Sequence, residues 1–275
     1  MTISNIDSLL FFAEETARSA GAILRDQYDL PVIITNKGKI DLVTDADYAS
    51  ENLILSAIRE RYPHHCILAE ETGEVTTNSP DGSSLTWIID PLDGTTNFAH
   101  KFPVFAVNIA LRDADDLLLA VTYDPLRYEC FTAMRGQGAA LNGKPIRVTE
   151  TDPIDRCLLA TGFPYDRHDA PDNNTAAFSV FLRRAQGVRR AGSAALDFAY
   201  VACGRFDGYW EMRLSPWDIA AGILIVREAG GTVSTYDGTE QITDIFAERR
   251  VIASNGHIHN EMIETLKEVY THMGR

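Results

Sequence analysis

Two aspartates follow an apolar run near the centre of the chain, and their spacing suits a divalent metal site. Residues 87–89 are apolar and β-favouring, which predicts a strand buried on both faces that delivers Asp90 at its carboxyl end. Pro91 fixes φ and Gly94 tolerates positive φ, so a sharp turn can aim Asp90 and Asp93 at one point. Paired carboxylates suit a hard cation. An Asx-rich surface turn after a core strand is the alternative interpretation.

The residues after this turn suit a phosphate. Thr95 or Thr96 is the predicted N-cap of a short helix. The free amides and the positive dipole end of such a helix favour a bound anion. The segment 87–98 therefore predicts a place where a divalent metal and a phosphate meet.

Two other segments place carboxylates at the ends of predicted elements. The apolar run 67–69 ends in Glu70 and Glu71, again at the end of a predicted strand. Asp218 falls in the first turn of a predicted helix over 217–229, where the helix dipole favours a carboxylate. Taken singly, Glu70 is explained as a solvated loop acid and Asp218 as a helix cap.

Together these motifs resemble the inositol monophosphatase family of lithium-sensitive, magnesium-dependent phosphatases, along nearly the full chain. The matching motifs are 41–44 with Asp47, 69–71, 87–98, 192–195, Glu211, 217–222 and 228–231. Ala69 is a departure, because many members have glycine before the paired glutamates. Alanine fits most backbone conformations, so we expect this loop to keep its shape.

The resemblance implies which residues bind metal. It assigns one Mg²⁺ to Glu70, Asp90 and the carbonyl of Leu92, and a second to Asp90, Asp93 and Asp218. Glu70 and water hold a weaker third ion. Oxygen-only, partly hydrated ligation is what Mg²⁺ prefers.

The resemblance also implies the catalytic and substrate-binding residues. Glu70, Thr95 and Asp47 are the expected catalytic residues, with Thr95 and Asp47 around the attacking water. The expected substrate contacts are Asp93, the amides of Gly94 and Thr95 for the phosphate, a backbone amide near Ala194, and Glu211. A glutamate at the offset of Glu211 accepts hydrogen bonds from ring hydroxyls in the inositol-hydrolysing members, although a strand-end glutamate is equally explained as solvated.

Basic residues near these motifs have more than one interpretation. Arg189 and Arg190 suit a second phosphate or a partner subunit, but paired surface arginines are more often a solvated face. Lys37 and Lys39 precede Asp41 in a loop that the family keeps mobile over the metal site, and lysine there is suited to steering phosphate.

Charge agrees with a metal-dependent anion site. The formal net charge is −14 and the pI is near 4.9, so the chain should repel a phosphorylated substrate until cations occupy the acidic pocket. The same balance argues against general nucleic-acid binding, which depends on neutralising phosphates.

Length and patterning predict one catalytic unit of mixed α and β structure. The 275 residues, 45% of them hydrophobic, suffice for a large core or for two packed halves, about 1–147 and 148–275. The first half is predicted to be antiparallel-rich (α+β), with Asn142 and Gly143 as a turn, and the second to alternate strand and helix (α/β). Predicted helices lie near 6–27, 46–60, 172–184, 194–203, 217–229 and 259–271. By resemblance the fold is a layered αβαβα sandwich and the protein a homodimer.

The N-terminal pattern, the length of the apolar runs and the cysteines predict where in the cell the protein is found. Residues 6–24 have apolar spacing typical of a core-facing helix rather than a signal peptide, and no apolar run approaches the roughly 20 residues that span a bilayer. Four scattered cysteines fit free thiols in a reducing compartment, so we expect a cytoplasmic protein without a membrane partner. Loop histidines without other soft ligands do not indicate zinc.

The leading hypothesis is a Mg²⁺-dependent phosphomonoesterase acting on myo-inositol monophosphate or a similar polyol phosphate. Its rivals within the same chemistry are fructose 1,6-bisphosphate, NADP, adenosine 3′,5′-bisphosphate and histidinol phosphate, which motifs do not separate well. A hypothesis of another class is a regulatory member that works through a protein or RNA partner.

Overall fold

The computed structural model describes residues 3–31, 34–36, 42–75, 85–114 and 116–272. Lys37, Gly38, Lys39 and Asp41 lie outside these ranges. The helices are α1 (Ile3–Tyr28), α2 (Asp45–Arg61), α3 (Thr95–Ala99), α4 (Thr175–Arg184), α5 (Ala194–Ala202), α6 (Pro216–Glu228), α7 (Ile242–Glu248) and α8 (His259–His272). The strands are β1 (Ile34–Asn36), β2 (Leu42–Thr44), β3 (Cys66–Ala69), β4 (Gly73–Val75), β5 (Thr86–Asp93), β6 (Ala106–Arg112), β7 (Leu117–Asp124), β8 (Glu129–Met134), β9 (Gly138–Leu141), β10 (Lys144–Pro145), β11 (Leu158–Thr161), β12 (Gly187–Arg189), β13 (Gly208–Met212), β14 (Thr232–Ser234) and β15 (Arg250–Ser254).

The larger sheet has eight strands in the order β10-β9-β8-β7-β6-β5-β3-β4. Its pairs are antiparallel except β3 with β5, which run parallel with Ala69 opposite Ile89. The carboxyl ends of these two strands therefore meet at one edge of the sheet. This register makes Glu70 and Asp90 neighbours, and the predicted site depends on that.

The smaller sheet has five strands in the order β12-β11-β13-β15-β14. Strand β11 is parallel to β12 and β13, while β15 is antiparallel to β13 and β14. The second half of the chain thus has both the predicted alternation and one antiparallel strand.

Five layers stack in the predicted αβαβα order. Helices α1 and α2 pack on one face of the larger sheet, and α5 and α6 lie between the two sheets. Helices α4 and α8 cover the outer face of the smaller sheet. The middle helix layer is almost wholly apolar, with Phe198, Ile223 and Ile225 buried, because it faces a sheet on both sides. The predicted fold class is confirmed.

All six helices with predicted ranges are found within three residues of their expected bounds. The Asn142–Gly143 turn is also found, and both residues have positive φ. Strand β5 does not end at Asp90, because a bulge lets it continue to Asp93. The N-cap of α3 is Gly94 at φ +99°, rather than Thr95 or Thr96. The short strands β1, β2, β4, β9 and β10 were not predicted, since two to four residues leave little periodicity to detect. Helix α7 was also not predicted.

All four cysteines are free. No helix among the described residues is both long and apolar enough to cross a bilayer.

Candidate active site

A cleft of about 390 Å³ lies where the two sheets and the middle helix layer meet. It brings together residues far apart in the chain. Its lining contains nearly every predicted site residue: Glu70, Asp90, Leu92, Asp93, Gly94, Thr95, Ala194, Glu211 and Asp218. Asp47 does not line the cleft but contacts Thr95, which does.

The larger sheet supplies Glu70 and Asp90. Glu70 follows β3 directly, and its backbone amide donates to the carbonyl of Ile89, which keeps it beside the end of β5. Asp90 is only 1% exposed, and its Oδ1 accepts the amide of Leu92 at 3.0 Å. The bulge after Asp90 turns the chain here, as the Pro91 and Gly94 pattern predicts.

Asp93 joins the two halves of the chain. Its Oδ2 accepts the hydroxyl of Ser193 and the amide of Ala195, at 2.9 Å for the latter. Ser193 is also the N-cap of α5, so the same turn both begins the helix and orients the carboxylate.

Asp218 lies in the first turn of α6, as predicted. Pro216 opens the helix, and Asp218 Oδ2 accepts the amide of Ser215 at 2.6 Å in a capping box. A capping role and a place in the cleft are therefore compatible.

These carboxyls share one electrostatic environment. Burial raises the pKa of Asp90 and of Asp218 well above the usual range, and the charge of Glu70 adds to it in both cases. Burial also raises the pKa of Asp93 to about 6. Within the described residues, however, no three acidic, His or Cys side chains are grouped tightly enough to hold a metal ion as they stand.

The Asp47 carboxylate accepts a hydrogen bond from the Thr95 hydroxyl. Asp47, in the first turn of α2, accepts the amide and hydroxyl of Thr44 through Oδ2, at 2.8 and 2.6 Å. Its Oδ1 is 3.0 Å from Thr95 Oγ1, which also lies 3.1 Å from the Leu92 carbonyl. Burial raises the pKa of Asp47 to about 6.

Across the cleft, Glu211 and Arg190 face the acidic residues. Glu211 Oε2 accepts the hydroxyl of Tyr209 at 2.5 Å, and burial raises its pKa to about 7. Of the two paired arginines, Arg190 lines the cleft and Arg189 does not.

Three positioning residues were not found from the sequence. Glu51 is buried and accepts the amide of Glu71 at 2.9 Å and the hydroxyl of Thr72, which fixes the loop after β3. Ser50 donates to the carbonyl of Pro91 at 2.8 Å. Asn97 donates to the carbonyls of three residues, namely Val104, Ala191 and Gly192. The available signal was in α2, where Asp47, Ser50 and Glu51 share the apolar stripe of Ile54, Leu55 and Ile58.

Comparison with known proteins identifies the same family as the motifs. A family model described as the inositol monophosphatase family matches residues 5–271. The chain belongs to the inositol monophosphatase family. It is therefore a phosphoric monoester hydrolase of that family, and the identification made from the motifs is confirmed.

Individual family relatives cover nearly the whole chain. It is similar to an inositol-1-monophosphatase of Synechocystis sp., at 47% identity over 96% of this chain and 90% of that protein. A protein named Nus factor SuhB from Pseudomonas aeruginosa is 44% identical over 94% of this chain and 96% of its own length. The structure of an inositol monophosphatase from Anabaena superposes with a TM-score of 0.86, at 44% identity, covering 96% of this chain and 97% of that one.

Proposed function

We propose that the protein hydrolyses myo-inositol monophosphate to inositol and phosphate in a Mg²⁺-dependent reaction. The observation that carries this proposal is the convergence of Glu70, Asp90, Asp93 and Asp218 in one cleft, opposite Glu211. Four carboxylates alone would repel a phosphate, so a site of this composition needs cations to bind one.

The donor chemistry fits magnesium. The four carboxylates and the Leu92 carbonyl present only oxygen, which Mg²⁺ prefers. Burial raises the pKa of Asp90 and of Asp218, and the charges of Glu70 and Asp93 raise both further. Two or three Mg²⁺ would add about four to six positive charges to about four negative ones. When bound, Mg²⁺ would offset the charge of the phosphate and acidify water in the cleft.

The side chains and backbone amides of the cleft would bind the phosphate ester and orient the attacking water. Asp47 accepts the hydrogen of the Thr95 hydroxyl, which leaves the Thr95 oxygen able to accept a hydrogen bond from the attacking water. The amides of Gly94 and Thr95 would hold the phosphate, and Asp93 and the backbone near Ala194 would contact the sugar side. Glu211 would accept hydrogen bonds from ring hydroxyls.

Phosphate release tests the proposal. Inositol 1-phosphate and fructose 1,6-bisphosphate are assayed in parallel, each with Mg²⁺ and with chelator. We expect chelator to abolish release and inositol 1-phosphate to have the higher kcat/KM. If fructose 1,6-bisphosphate has a far higher kcat/KM, the proposed substrate is wrong, but Mg²⁺-dependent phosphate ester hydrolysis is still supported. NADP, adenosine 3′,5′-bisphosphate and histidinol phosphate complete the panel. Release without any divalent cation contradicts the metal assignment.

A second candidate function is regulatory binding of a protein or RNA partner. Several relatives at 42 to 44% identity are named Nus factor SuhB and not phosphatase, which favours this candidate. The net charge of −14 disfavours direct, general binding to nucleic acid. A pull-down with an Asp93→Asn variant that recovers a stoichiometric partner would support a role independent of turnover.

The proposal includes a cytoplasmic homodimer that lithium inhibits. Light scattering in solution tests the dimer. A millimolar lithium titration without effect on phosphate release would count against kinship with the inositol-specific branch.

A further inference from the structure

Glu211 is fixed by a tyrosine on its own strand. Residues two apart on a strand point to the same face, and Tyr209 and Glu211 are so placed on β13. The Tyr209 hydroxyl donates to Glu211 Oε2 at 2.5 Å. A hydrogen bond to a charged acceptor is about twice as strong as one between neutral groups.

Tyr209 cannot easily change its orientation. The residue is 0% exposed, and its ring packs edge-on against Phe198 with centroids 5.0 Å apart. Water therefore does not compete for the hydroxyl, whereas Glu211 is only half-buried because it faces the cleft. The contact joins a rigid donor to a side chain that substrate can reach.

A glycine on the neighbouring strand limits Glu211 from the other side. Gly162 follows β11, which is parallel to β13 with Thr161 opposite Trp210. A Cβ on Gly162 would overlap both carboxylate oxygens of Glu211. Because Gly162 does not have a left-handed backbone, space and not φ requires glycine here.

Side-chain hydrogen bonds also fix the backbone of Gly162 and Trp210 next to the Glu211 carboxylate. Asn174 donates to the carbonyl of Gly162 at 2.6 Å and to Thr161 Oγ1 at 2.9 Å. Thr161 donates to the carbonyl of Trp210 at 2.6 Å. Strand β13 and the residue after β11 are thus fixed relative to each other, and the Glu211 carboxylate lies between them.

We propose that Tyr209 is a positioning residue for substrate selectivity, with Gly162 supplying the space. Tyr209 binds Glu211 Oε2, so that Oε1 is left to accept a hydrogen bond from a ring hydroxyl next to the phosphate ester. The pair would favour phosphates of cyclic polyols over phosphates of simple alcohols, since a preordered acceptor loses less entropy on binding. This inference rests on the proposed function and extends it to the source of selectivity.

The test compares two substrates in a Tyr209→Phe variant. Inositol 1-phosphate has hydroxyls for Glu211, whereas propyl phosphate has none. Loss of the positioning hydrogen bond should raise KM for inositol 1-phosphate roughly five- to tenfold with little change in kcat. KM for propyl phosphate should not change. Tyr236→Phe is the matched control, because the buried Tyr236 hydroxyl has no hydrogen-bond partner in the described part of the chain.

A double-mutant cycle separates positioning from general stability. In a Glu211→Ala background, Tyr209→Phe should add no further increase in KM, because its effect acts through Glu211. Gly162→Ala should raise KM for inositol 1-phosphate more than Tyr209→Phe does, since it displaces the carboxylate. Calorimetric titration of each variant with inositol, in the presence of Mg²⁺ and inorganic phosphate, should show the same order, because inositol has the ring hydroxyls but no ester to hydrolyse.

The outcomes distinguish this inference from the proposed function. If the wild-type protein neither binds nor hydrolyses inositol 1-phosphate, both fail. If the wild-type protein is active but Tyr209→Phe leaves KM unchanged, only the positioning role fails. Equal increases for both substrates, or full additivity with Glu211→Ala, would also overturn it.

Discussion

The two sides of the cleft hold their carboxylates in different ways. On the acidic side, Asp90, Asp93 and Asp218 each accept a backbone amide through one oxygen, and neighbouring acids contribute to the raised pKa of Asp90 and Asp218. On the opposite side, Glu211 is held by the Tyr209 hydroxyl. The first arrangement needs cations to balance its charge, whereas the second needs only hydrogen-bond donors. Catalysis and selectivity are thus expected to respond to different substitutions.

Loss of one charge on the acidic side should have the largest effect. Asp93→Asn keeps the shape of the side chain but removes a charge from the cleft. We expect kcat/KM to fall at least about 100-fold, since even indirect changes around a metal reach that size. Circular dichroism should show an unchanged fold. Asp244→Asn, an exposed aspartate in the first turn of α7, is the control and should be fully active. Normal turnover by Asp93→Asn contradicts the site assignment.

The acidic side should also make activity depend jointly on pH and Mg²⁺. Burial raises the pKa of Asp93 to about 6, so this carboxyl gains a proton as the pH falls through that value. Protons compete with metal for the same oxygens. We expect activity to fall on the acid side, with a midpoint that moves down by up to about one pH unit per tenfold increase in Mg²⁺. A midpoint independent of Mg²⁺ concentration would place the titrating group elsewhere.

The acidic side was also the more predictable one. Asp90 and Glu70 follow apolar runs, and Asp218 lies in the first turn of a helix, so local pattern marked them as candidates and the family resemblance assigned them to one site. Their meeting depends on the parallel pairing of β3 with β5 and on the packing of α6. No local pattern indicates either contact, and only the family resemblance implied them.

The opposite side was less predictable because its contacts are not local. Glu211 was found only through the resemblance to a family. The role of Gly162 follows from the register of β11 against β13, and Asn97 binds residues about 95 positions away. No spacing rule reports such contacts. The predicted N-cap of α3 was wrong because the Thr95 hydroxyl binds Asp47 and Leu92, while Gly94 takes the left-handed backbone.

A smaller effect on activity is expected from Glu51, which holds the loop after β3 by hydrogen bonds. The two carboxylate oxygens of Glu51 accept hydrogen bonds from the Glu71 amide and the Thr72 hydroxyl. Glu51→Gln leaves only one oxygen to accept them. The loop that carries Glu70 should loosen, and the Mg²⁺ concentration for half-maximal activity should rise roughly tenfold, with kcat largely recovered at high Mg²⁺. Glu60→Gln, exposed on the same helix, is the matched control. An equal effect of both substitutions would show that overall charge, and not the loop, is responsible.

The smallest effect concerns stability, and it compares two buried aspartates. Asp197 and Asp124 are each 1% exposed. Asp124 accepts the amides of Leu126 and Arg127 and the Arg127 guanidinium. Among the described residues, Asp197 Oδ1 has no hydrogen-bond partner, and burial followed by the charge of Glu211 raises the pKa of its carboxyl well above the usual range.

A raised pKa in the folded state means that the Asp197 carboxyl favours folding below its unfolded pKa and opposes it as the pH rises. Asp197→Asn should therefore increase the free energy of unfolding at pH 8 by about 1 kcal/mol, and the gain should shrink towards pH 4. Asp124→Asn should instead lose about 1 to 2 kcal/mol, because it weakens bonds to a charged acceptor. Urea unfolding of both variants at the two pH values measures this. If Asp197→Asn destabilises the protein at pH 8 as Asp124→Asn does, the Asp197 carboxylate has a stabilising partner, and the charged form is the one that the fold favours.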